Sequence, residues 1–372
     1  MRRRVIMRRR NNVTLLFFFL LTAQIFANSQ TAPPATQTPE PASSAQAPAN
    51  SQPPSTQAPT NGNAPQGGTP PDAHITTGPA AQNPDSDSGV FVFRKQVEEV
   101  VLHATVIDNK QHIVTDLDKG SFTVFEDGHP QTITSFRHED IPVAMCIVID
   151  NSGSMREKRA KVNAAALNLV RASNPSDEVC VVNFNDEYYL DQDFTSSINK
   201  LKEGLEKIES RGGTALYDAV VASATHLKEH AKLEKKVIFV VTDGDDNESS
   251  ETLEQSVRRL QAENGPTVYA IGLLEGEEHA KHARRALQIM CERTGGIAFL
   301  PKTLDDVDAI SRAVAHDIRS QYTIGYKPTT PKTQGGYREV KVEAKSPDHS
   351  SKLTVRTKSG YYAGPEPASG SQ

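Results

Sequence analysis

The stretch VAMCIVIDNSGSM, residues 143–155, decides the fold of this 372-residue chain. Its first seven residues are apolar without alternation, which is typical of a strand that is covered on both faces. Asp150, Ser152 and Ser154 follow at alternate positions, and Gly153 between the serines is expected to allow a tight turn. In open α/β sheets, ligands bind beyond the carboxyl ends of the strands. The stretch therefore predicts a central strand that ends in an oxygen-rich site.

The alternation of apolar, strand-length runs with helix-period segments extends through residues 141–321. Strands are predicted at 144–149, 179–184, 237–241, 268–273 and 297–300. Helices are predicted at 158–172, 216–230, 252–263, 280–292 and 307–319, and one more helix face is marked by Ile198, Leu201, Leu205 and Ile208. This order predicts an α/β domain with a doubly wound, mostly parallel, Rossmann-like sheet.

Two stretches with strand-like patterns flank this domain, at residues 89–140 and 322–363. The first contains an Asp127-Gly128 turn signal between two alternating runs, which is typical of a hairpin. Neither flank is longer than about fifty residues, which is too few for an independent core. We therefore expect the N- and C-terminal strands to pair into one small β-sandwich beside the α/β domain.

The N-terminus has the layout of a secretory signal peptide. Six of the first ten residues are arginine, and an apolar run follows from residue 13 to residue 27. Residues 1–29 are thus predicted to be a signal peptide, with an uncleaved signal anchor as the alternative. The protein is expected to be exported to the periplasm, the cell surface or the medium, or to be held at the inner membrane if the anchor is retained.

Residues 30–88 are rich in Pro, Ala, Gln and Ser and contain no lysine or arginine. Such a composition lacks the aromatic and branched apolar residues that a packed core needs, so a disordered linker is predicted here. The linker is either a spacer that holds the folded body away from a membrane or wall, or a passive tail. Residues 364–372 are expected to be a disordered tail as well.

Charge and hydropathy exclude several classes of function. The chain has 41 basic and 46 acidic residues, and 35 basic residues remain without the six N-terminal arginines. An acidic body argues against nucleic-acid binding, which needs clustered Lys and Arg. After residue 30 there is no apolar run of about twenty residues, so contact with a membrane is expected only through the N-terminal segment, if it is uncleaved.

The three cysteines exclude a disulfide-rich scaffold and a zinc ribbon. Cys146, Cys180 and Cys291 lie in predicted core strands and a helix, so we expect buried, apolar thiols. Because Cys146 and Cys180 could fall on neighbouring strands, a disulfide between them is the alternative.

Two further segments add oxygen ligands to the predicted site. Arg211-Gly212-Gly213-Thr214 presents a hydroxyl at a helix start, and the buried strand before Thr242 ends in Asp243. Together with the first loop, they bring two carboxylates and three hydroxyls to one edge of the sheet. Such hard oxygen ligands suit Mg²⁺, or Ca²⁺ less tightly. With so few carboxylates, the metal keeps an affinity for an outside anion.

These three segments, D-x-S-x-S, G-G-T and T-D-G, resemble the von Willebrand factor type A domain with a complete metal-ion-dependent adhesion site, over residues 142–321. The resemblance implies that Ser152, Ser154 and Thr214 ligate the cation directly, while Asp150 and Asp243 act largely through water. It also implies that an Asp or Glu of a partner completes the coordination. With its flanks, the whole chain resembles the exported proteins related to this family that are known from acidobacteria.

Two other patterns are interpreted as not functional. The acidic run from Asp243 to Glu254 imitates a calcium loop, but its sixth position is Glu248, where an EF-hand needs glycine. The segment from His226 to His230 fits the H-x-x-E-H pattern of zinc peptidases, but no third ligand stands out, so solvated histidines at a helix end are favoured.

The sequence thus predicts a non-enzymatic, metal-dependent protein-binding or adhesion module that captures an acidic side chain through Mg²⁺, with Mn²⁺ or Ca²⁺ as alternative cations. One alternative function is an envelope scaffold in which the cation is only structural. A second is a Mg²⁺-dependent hydrolase with a metal-activated water, which would need His129, His226 or His230 as a general base.

Overall fold

The computed structural model of the protein describes residues 98–207, 209–274, 279–346 and 352–364. The predicted signal peptide or anchor, the linker and, apart from Gly364, the C-terminal tail lie outside the described residues. Within the described residues, no helix is long and apolar enough to cross a membrane.

The described residues form thirteen strands and six α-helices. In chain order, these elements are β1 (Val100–Ile107), β2 (Phe122–Glu126), β3 (His129–Arg137), β4 (Val143–Asp150), α1 (Arg159–Ala172), β5 (Glu178–Phe184), β6 (Tyr188–Thr195), α2 (Ile198–Glu206), α3 (Leu216–His230), β7 (Lys235–Thr242), α4 (Leu253–Leu260), β8 (Thr267–Gly272), α5 (His279–Thr294), β9 (Ala298–Phe299), α6 (Val307–Arg319), β10 (Tyr322–Lys327), β11 (Gly336–Ala344), β12 (Thr354–Arg356) and β13 (Gly360–Ala363). They build an α/β domain and an antiparallel β unit.

The α/β domain is built on a six-stranded sheet with the order β6-β5-β4-β7-β8-β9. The chain moves outwards from β4 in both directions, and β4, β5, β7, β8 and β9 are parallel. The predicted doubly wound, mostly parallel sheet is therefore confirmed. The antiparallel edge strand β6 was not predicted, because two aspartates and a glutamine interrupt its apolar residues.

Helices cover both faces of this sheet. On one face, Met145, Ile147 and Ile149 of β4 pack in a cluster with side chains of α1, α2 and α6. On the other face, Cys146 and Val148 pack with side chains of α3, α4 and α5. Each side of the strand is buried against apolar groups, which is the physical reason that β4 shows no alternation in its sequence.

Most predicted helix bounds agree with the structure. Helices α3 and α6 have the predicted bounds, whereas α4 ends three residues earlier than expected, at Leu260. The chain turns there, because the N–H of Gly265 donates to the carbonyl of Ala262 (2.9 Å). Helix α2 ends at Glu206, and Ile208, which was predicted to lie on its apolar face, is outside the described residues.

The two flanks of the chain combine into one β unit, as expected. They form a single antiparallel sheet with the order β12-β1-β10-β3-β2-β11-β13, in which strands from the two flanks are interleaved. This sheet curls around an apolar core of its own, to which Leu102, Val124, Tyr322 and Val342 contribute. The predicted sandwich is thus one curled sheet rather than two separate sheets.

Cys146 and Cys180 form a disulfide, so the expectation of buried free thiols is wrong for these two residues. They are directly opposite each other in the parallel pairing of β4 with β5, and their Cα atoms are 4.6 Å apart. Both are fully buried. Cys291 in α5 is a buried free thiol, as expected, and burial raises its pKa above the usual range.

A buried polar cluster joins the α/β domain to the β unit. The carboxylate of Asp317, in α6, accepts a hydrogen bond from the hydroxyl of Tyr269 in β8 and pairs with the guanidinium of Arg356 in β12. Gln321 follows α6 and donates to the hydroxyls of Tyr269 (3.2 Å) and Thr105 (3.4 Å). The last helix is therefore held by groups from both parts of the molecule.

Candidate metal centre

Asp150 is the buried anchor of the candidate site, at the end of β4. Its Oδ1 accepts a hydrogen bond from the backbone N–H of Ser152 (2.7 Å), and its Oδ2 accepts one from the hydroxyl of Thr242 at the end of β7 (2.6 Å). Burial raises the pKa of Asp150 to about 6, and these hydrogen bonds act in the opposite direction. A buried carboxylate is costly unless its charge is compensated, so this position favours a bound cation.

A chain of hydroxyl contacts links the loop after β4 to the loop after β7. The Oγ atoms of Ser152 and Ser154 are 3.1 Å apart, and the Ser154 hydroxyl donates to Oδ1 of Asp243 (2.7 Å). Neighbouring oxygens in an octahedral Mg²⁺ shell are about 2.9 Å apart, since each lies about 2.05 Å from the ion. The two serine oxygens, 3.1 Å apart, thus have a spacing close to that of neighbouring ligands in such a shell.

The third loop, which leads into α3, brings Thr214 to the same place. The N–H of Gly153 donates to the carbonyl of Gly212 (3.2 Å), which joins the first loop to the third. Thr214 is buried, and its hydroxyl oxygen lies close to the loop after β7, because a Cβ on Gly244 would be 3.5 Å from it. All five predicted residues therefore lie in three loops that contact one another.

The site needs glycine at position 212, but it does not need glycine at position 153. Gly212 has a φ of +71°, and a Cβ there would be 2.2 Å from a carboxylate oxygen of Asp186. Gly153 has no positive φ, and its nearest neighbour would be 3.8 Å from an added Cβ, so the expected role of Gly153 in the turn is wrong. Asp186 also accepts a hydrogen bond from the N–H of Gly213. It was missed in the sequence, although it closely follows β5 at the same edge of the sheet.

Lys158 is a second residue that the sequence analysis missed. Its ammonium lies 2.9 Å from Oδ2 of Asp243, and both side chains are largely buried, with 19% and 1% exposed. The sequence predicted only that Lys158 is the first residue of a helix. Its neighbours gave no sign that its side chain contacts a carboxylate 85 residues further along the chain.

The acidic loop after β7 is part of the protein scaffold. The carboxylate of Asp246 accepts a hydrogen bond from the N–H of Tyr217 (2.9 Å), and the amide oxygen of Asn247 accepts one from the N–H of Thr214 (2.9 Å). These bonds fasten the loop to the N-terminus of α3. Asp246 thus has its hydrogen-bond partners within the protein, and burial raises its pKa.

The histidines of the zinc-peptidase pattern and of the hydrolase hypothesis make their contacts outside the candidate site. His226 lies 2.9 Å from a carboxylate oxygen of Asp193 and stacks on Phe194, and its ring centre is 4.8 Å from that of His230. His129 contacts the backbone of Asp127 in the β unit (2.9 Å). Among the described residues, no group of three or more His, Cys, Asp or Glu side chains could hold a metal ion.

The donor set at the end of β4 fits a small, hard divalent cation. It consists of two carboxylates and three hydroxyls, all of them oxygen donors, and the loops that carry them are already joined by backbone hydrogen bonds. Mg²⁺ prefers such oxygens and keeps several of its own waters, so few direct protein ligands are sufficient. One or more coordination positions would face outwards, since Ser154 is exposed.

Comparison with known protein families gives a match to part of the chain. Residues 145–245 match the family model of the von Willebrand factor type A domain, and the matched segment contains all five candidate residues. A comparison with curated proteins found no match.

Several solved structures are similar to the chain at low identity. A von Willebrand factor type A protein from Catenulispora acidiphila is 13% identical, with 73% of this chain and 74% of that chain covered and a TM-score of 0.40. The vWF domain of the type V pili tip protein Mfa5 from Porphyromonas gingivalis is 14% identical (48% and 95% covered, TM-score 0.40). An aerotolerance-related membrane protein from Bacteroides fragilis is 18% identical (47% and 98% covered, TM-score 0.39).

Proposed function

We propose that this chain, which contains a von Willebrand factor type A domain, is an exported protein-binding module that uses a divalent cation to capture an acidic side chain of a partner. The observation that carries the proposal is the contact of Ser154 with both Ser152 (3.1 Å) and Asp243 (2.7 Å), because it unites oxygen donors from two separate loops. Ser152, Ser154 and Thr214 would bind the cation, and Asp150 and Asp243 would act largely through water. Mg²⁺ is the proposed cation.

A bound cation would supply a positive charge that attracts an outside carboxylate. The chain's own part is to hold the donors in place and to leave one side open. Asp150 is held by the Ser152 N–H and the Thr242 hydroxyl, so it is oriented before any ligand arrives. The exposed hydroxyl of Ser154 marks the side from which a partner's Asp or Glu would approach.

Direct hydrogen bonds between the loops argue against a purely structural role for the cation. The N–H of Arg211 donates to the carbonyl of Asn151 (2.8 Å), and the N–H of Gly153 donates to the carbonyl of Gly212 (3.2 Å). These bonds keep the first and third loops together through protein groups alone. We therefore infer that the cation binds an external ligand and does not serve only to stiffen this edge of the sheet.

The Cys146–Cys180 disulfide supports export as part of the proposal. Disulfides form and persist in oxidising compartments such as the periplasm and the extracellular space, and they are rare in the cytosol. The arginine-rich, apolar N-terminus of the sequence is consistent with the same destination.

The first experiment is a calorimetric titration of Mg²⁺, Mn²⁺ and Ca²⁺ into the chelated full chain. We expect one ion per chain for the wild type and at least about ten-fold weaker binding for Ser152→Ala and Asp243→Asn, which corresponds to ~1.4 kcal/mol. Asp245→Asn is the matched control, because it removes a carboxylate from the same loop outside the donor set. Equal affinities in wild type and both site variants would refute the proposal.

A second experiment tests the chemistry of the partner. A displayed peptide library is selected on the immobilised protein in Mg²⁺ and eluted with a chelator. We expect the eluted peptides to share an Asp or Glu, and an Asn or Gln in its place to abolish binding. Selected peptides without a carboxylate, or peptides that the chelator does not release, would contradict the proposed mode of capture.

A further inference from the structure

An ammonium group is built into the candidate site. The Nζ of Lys158 lies 2.9 Å from Oδ2 of Asp243, while Oδ1 of the same carboxylate accepts the hydroxyl of Ser154 (2.7 Å). Asp243 thus has one oxygen towards the proposed metal ligands and the other towards a positive charge. Because only 1% of the Asp243 side chain and 19% of the Lys158 side chain are exposed, water screens this pair weakly.

The loop that carries the serines also delivers this lysine. The N–H of Lys158 donates to the carbonyl of Met155 (2.9 Å), and the carbonyl of Lys158 accepts the N–H of Val162 (3.1 Å). Met155 is fully buried and anchors the turn in the core of the α/β domain. The backbone of Lys158 is therefore fixed relative to Ser152 and Ser154, and its side chain is positioned with them.

The charges of the site determine what this lysine does. Asp150 and Asp243 together carry two negative charges, which would balance a divalent cation. Lys158 contributes one positive charge next to Asp243, so with a bound cation it would make the immediate surroundings of these two carboxylates more positive than the cation alone would. The same positive charge opposes the entry of a cation and attracts an anion.

We propose that Lys158 is a specificity-determining residue of this site: it weakens the intrinsic binding of the divalent cation and strengthens the capture of the carboxylate. This inference rests on the proposed function. It attributes to Lys158 the need of the metal site for an outside anion. In a rival explanation, Lys158 only keeps Asp243 in position. The two explanations differ in sign, because loss of a positioning residue would weaken the binding of both the cation and the carboxylate.

The test uses Lys158→Met in the full chain. Mg²⁺ affinity is measured by calorimetry without any partner, and we expect it to become on the order of ten-fold tighter. Acetate, the simplest carboxylate probe, is then titrated into the Mn²⁺-loaded protein, and displacement of metal-bound water is followed by water proton relaxation. We expect acetate to bind at least about five-fold more weakly than it binds to the wild type.

Lys161→Met is the matched control. Lys161 lies one helical turn further along, and its ammonium pairs with the exposed carboxylate of Asp305 (2.5 Å), so this variant changes the net charge equally without touching the site. Both affinities are expected to stay within about two-fold of the wild type. Lys158→Gln keeps a hydrogen-bond donor without the charge, and we expect it to change both affinities in the same directions as Lys158→Met.

The outcomes separate this inference from the proposed function. Weaker binding of both probes to Lys158→Met and Lys158→Gln, or no change in either, would overturn the role of Lys158 while the metal site stands. Both the inference and the proposed function are refuted if the wild type and Lys158→Met bind no cation. They are also refuted if the cation that these two proteins bind is bound by Asp243→Asn as well. Thermal denaturation of each variant verifies that it is folded.

Discussion

Individual residues at the edge of the central sheet differ in what they are needed for. Asp150 is fixed by two hydrogen bonds, and Gly212 is fixed by its backbone conformation, with a φ of +71°. A residue with a Cβ pays a steric cost in this left-handed region, and at Gly212 its Cβ would also collide with the carboxylate of Asp186. The position of the third loop, and with it Thr214, therefore depends on glycine at position 212.

We predict that Gly212→Ala lowers the free energy of unfolding by about 1–2 kcal/mol and weakens Mg²⁺ binding, because the Gly212 loop must shift. Urea denaturation and calorimetric titration measure the two effects. Gly153→Ala is the control: an added Cβ there would meet its nearest atom at 3.8 Å, so a change below about 0.5 kcal/mol is expected. If the two variants behave alike, Gly212 does not have the proposed role.

At the level of strands and helices, the centre of the sheet is held by two kinds of bond. The ladder between β4 and β5 pairs seven successive residues in register, and the Cys146–Cys180 disulfide joins the same two strands. The disulfide closes a loop with a sequence separation of 34 residues, which includes α1. It restricts the unfolded chain, while the ladder and the helix packing define the native arrangement of the strands.

The double variant Cys146→Ala/Cys180→Ala is expected to fold and to bind Mg²⁺, with a free energy of unfolding lower by roughly 3–4 kcal/mol on the chain-entropy model for a loop of this length. Chemical denaturation under non-reducing conditions measures the loss. The wild type should show one reactive thiol in denaturant without reductant, that of Cys291, and three after reduction. Three reactive thiols before reduction would mean that the disulfide does not form.

In the whole molecule, the α/β domain and the β unit share a polar junction. Asp317 accepts bonds from groups of both, and it is 4% exposed. Gln261, just after α4, donates to the hydroxyl groups of Tyr337 and Ser359 in the C-terminal flank (3.2 Å each). Because these contacts are at least partly buried and join both parts, we expect the two parts to unfold together.

We predict that Arg356→Met destabilises the protein by about 3–5 kcal/mol, since it removes the guanidinium that pairs directly with the buried carboxylate of Asp317. Arg319→Met is the control, because Arg319 pairs with Asp140 at the surface, where a salt bridge contributes only about 0–1 kcal/mol. Calorimetry of thermal unfolding measures both variants and shows whether there is one transition. Two separate transitions in the wild type would contradict the coupling of the two parts.

Much of the fold could be predicted from local sequence, because the cause of each pattern is local. The run from Val143 to Ile149 is apolar because both faces of β4 are covered, and the amphipathic period of residues 216–230 predicted α3 with its bounds. Four oxygen donors were predicted from the rule that parallel strands end at a common edge, and Thr214 was predicted from a glycine loop at a helix start. The edge strand β6 was not predicted, because its exposed, mixed sequence has neither a continuous apolar run nor a clear period.

Sequence alone thus determined the order of most strands and helices, the burial of β4 and the choice of the five candidate ligands, since each segment shows its own local pattern. The disulfide between Cys146 and Cys180, the contact of Lys158 with Asp243 and the need for glycine at Gly212 rather than Gly153 were decided by the folded structure. These features depend on distances between side chains of separate segments. The packing of the fold sets such distances, so they cannot be predicted from a local sequence pattern.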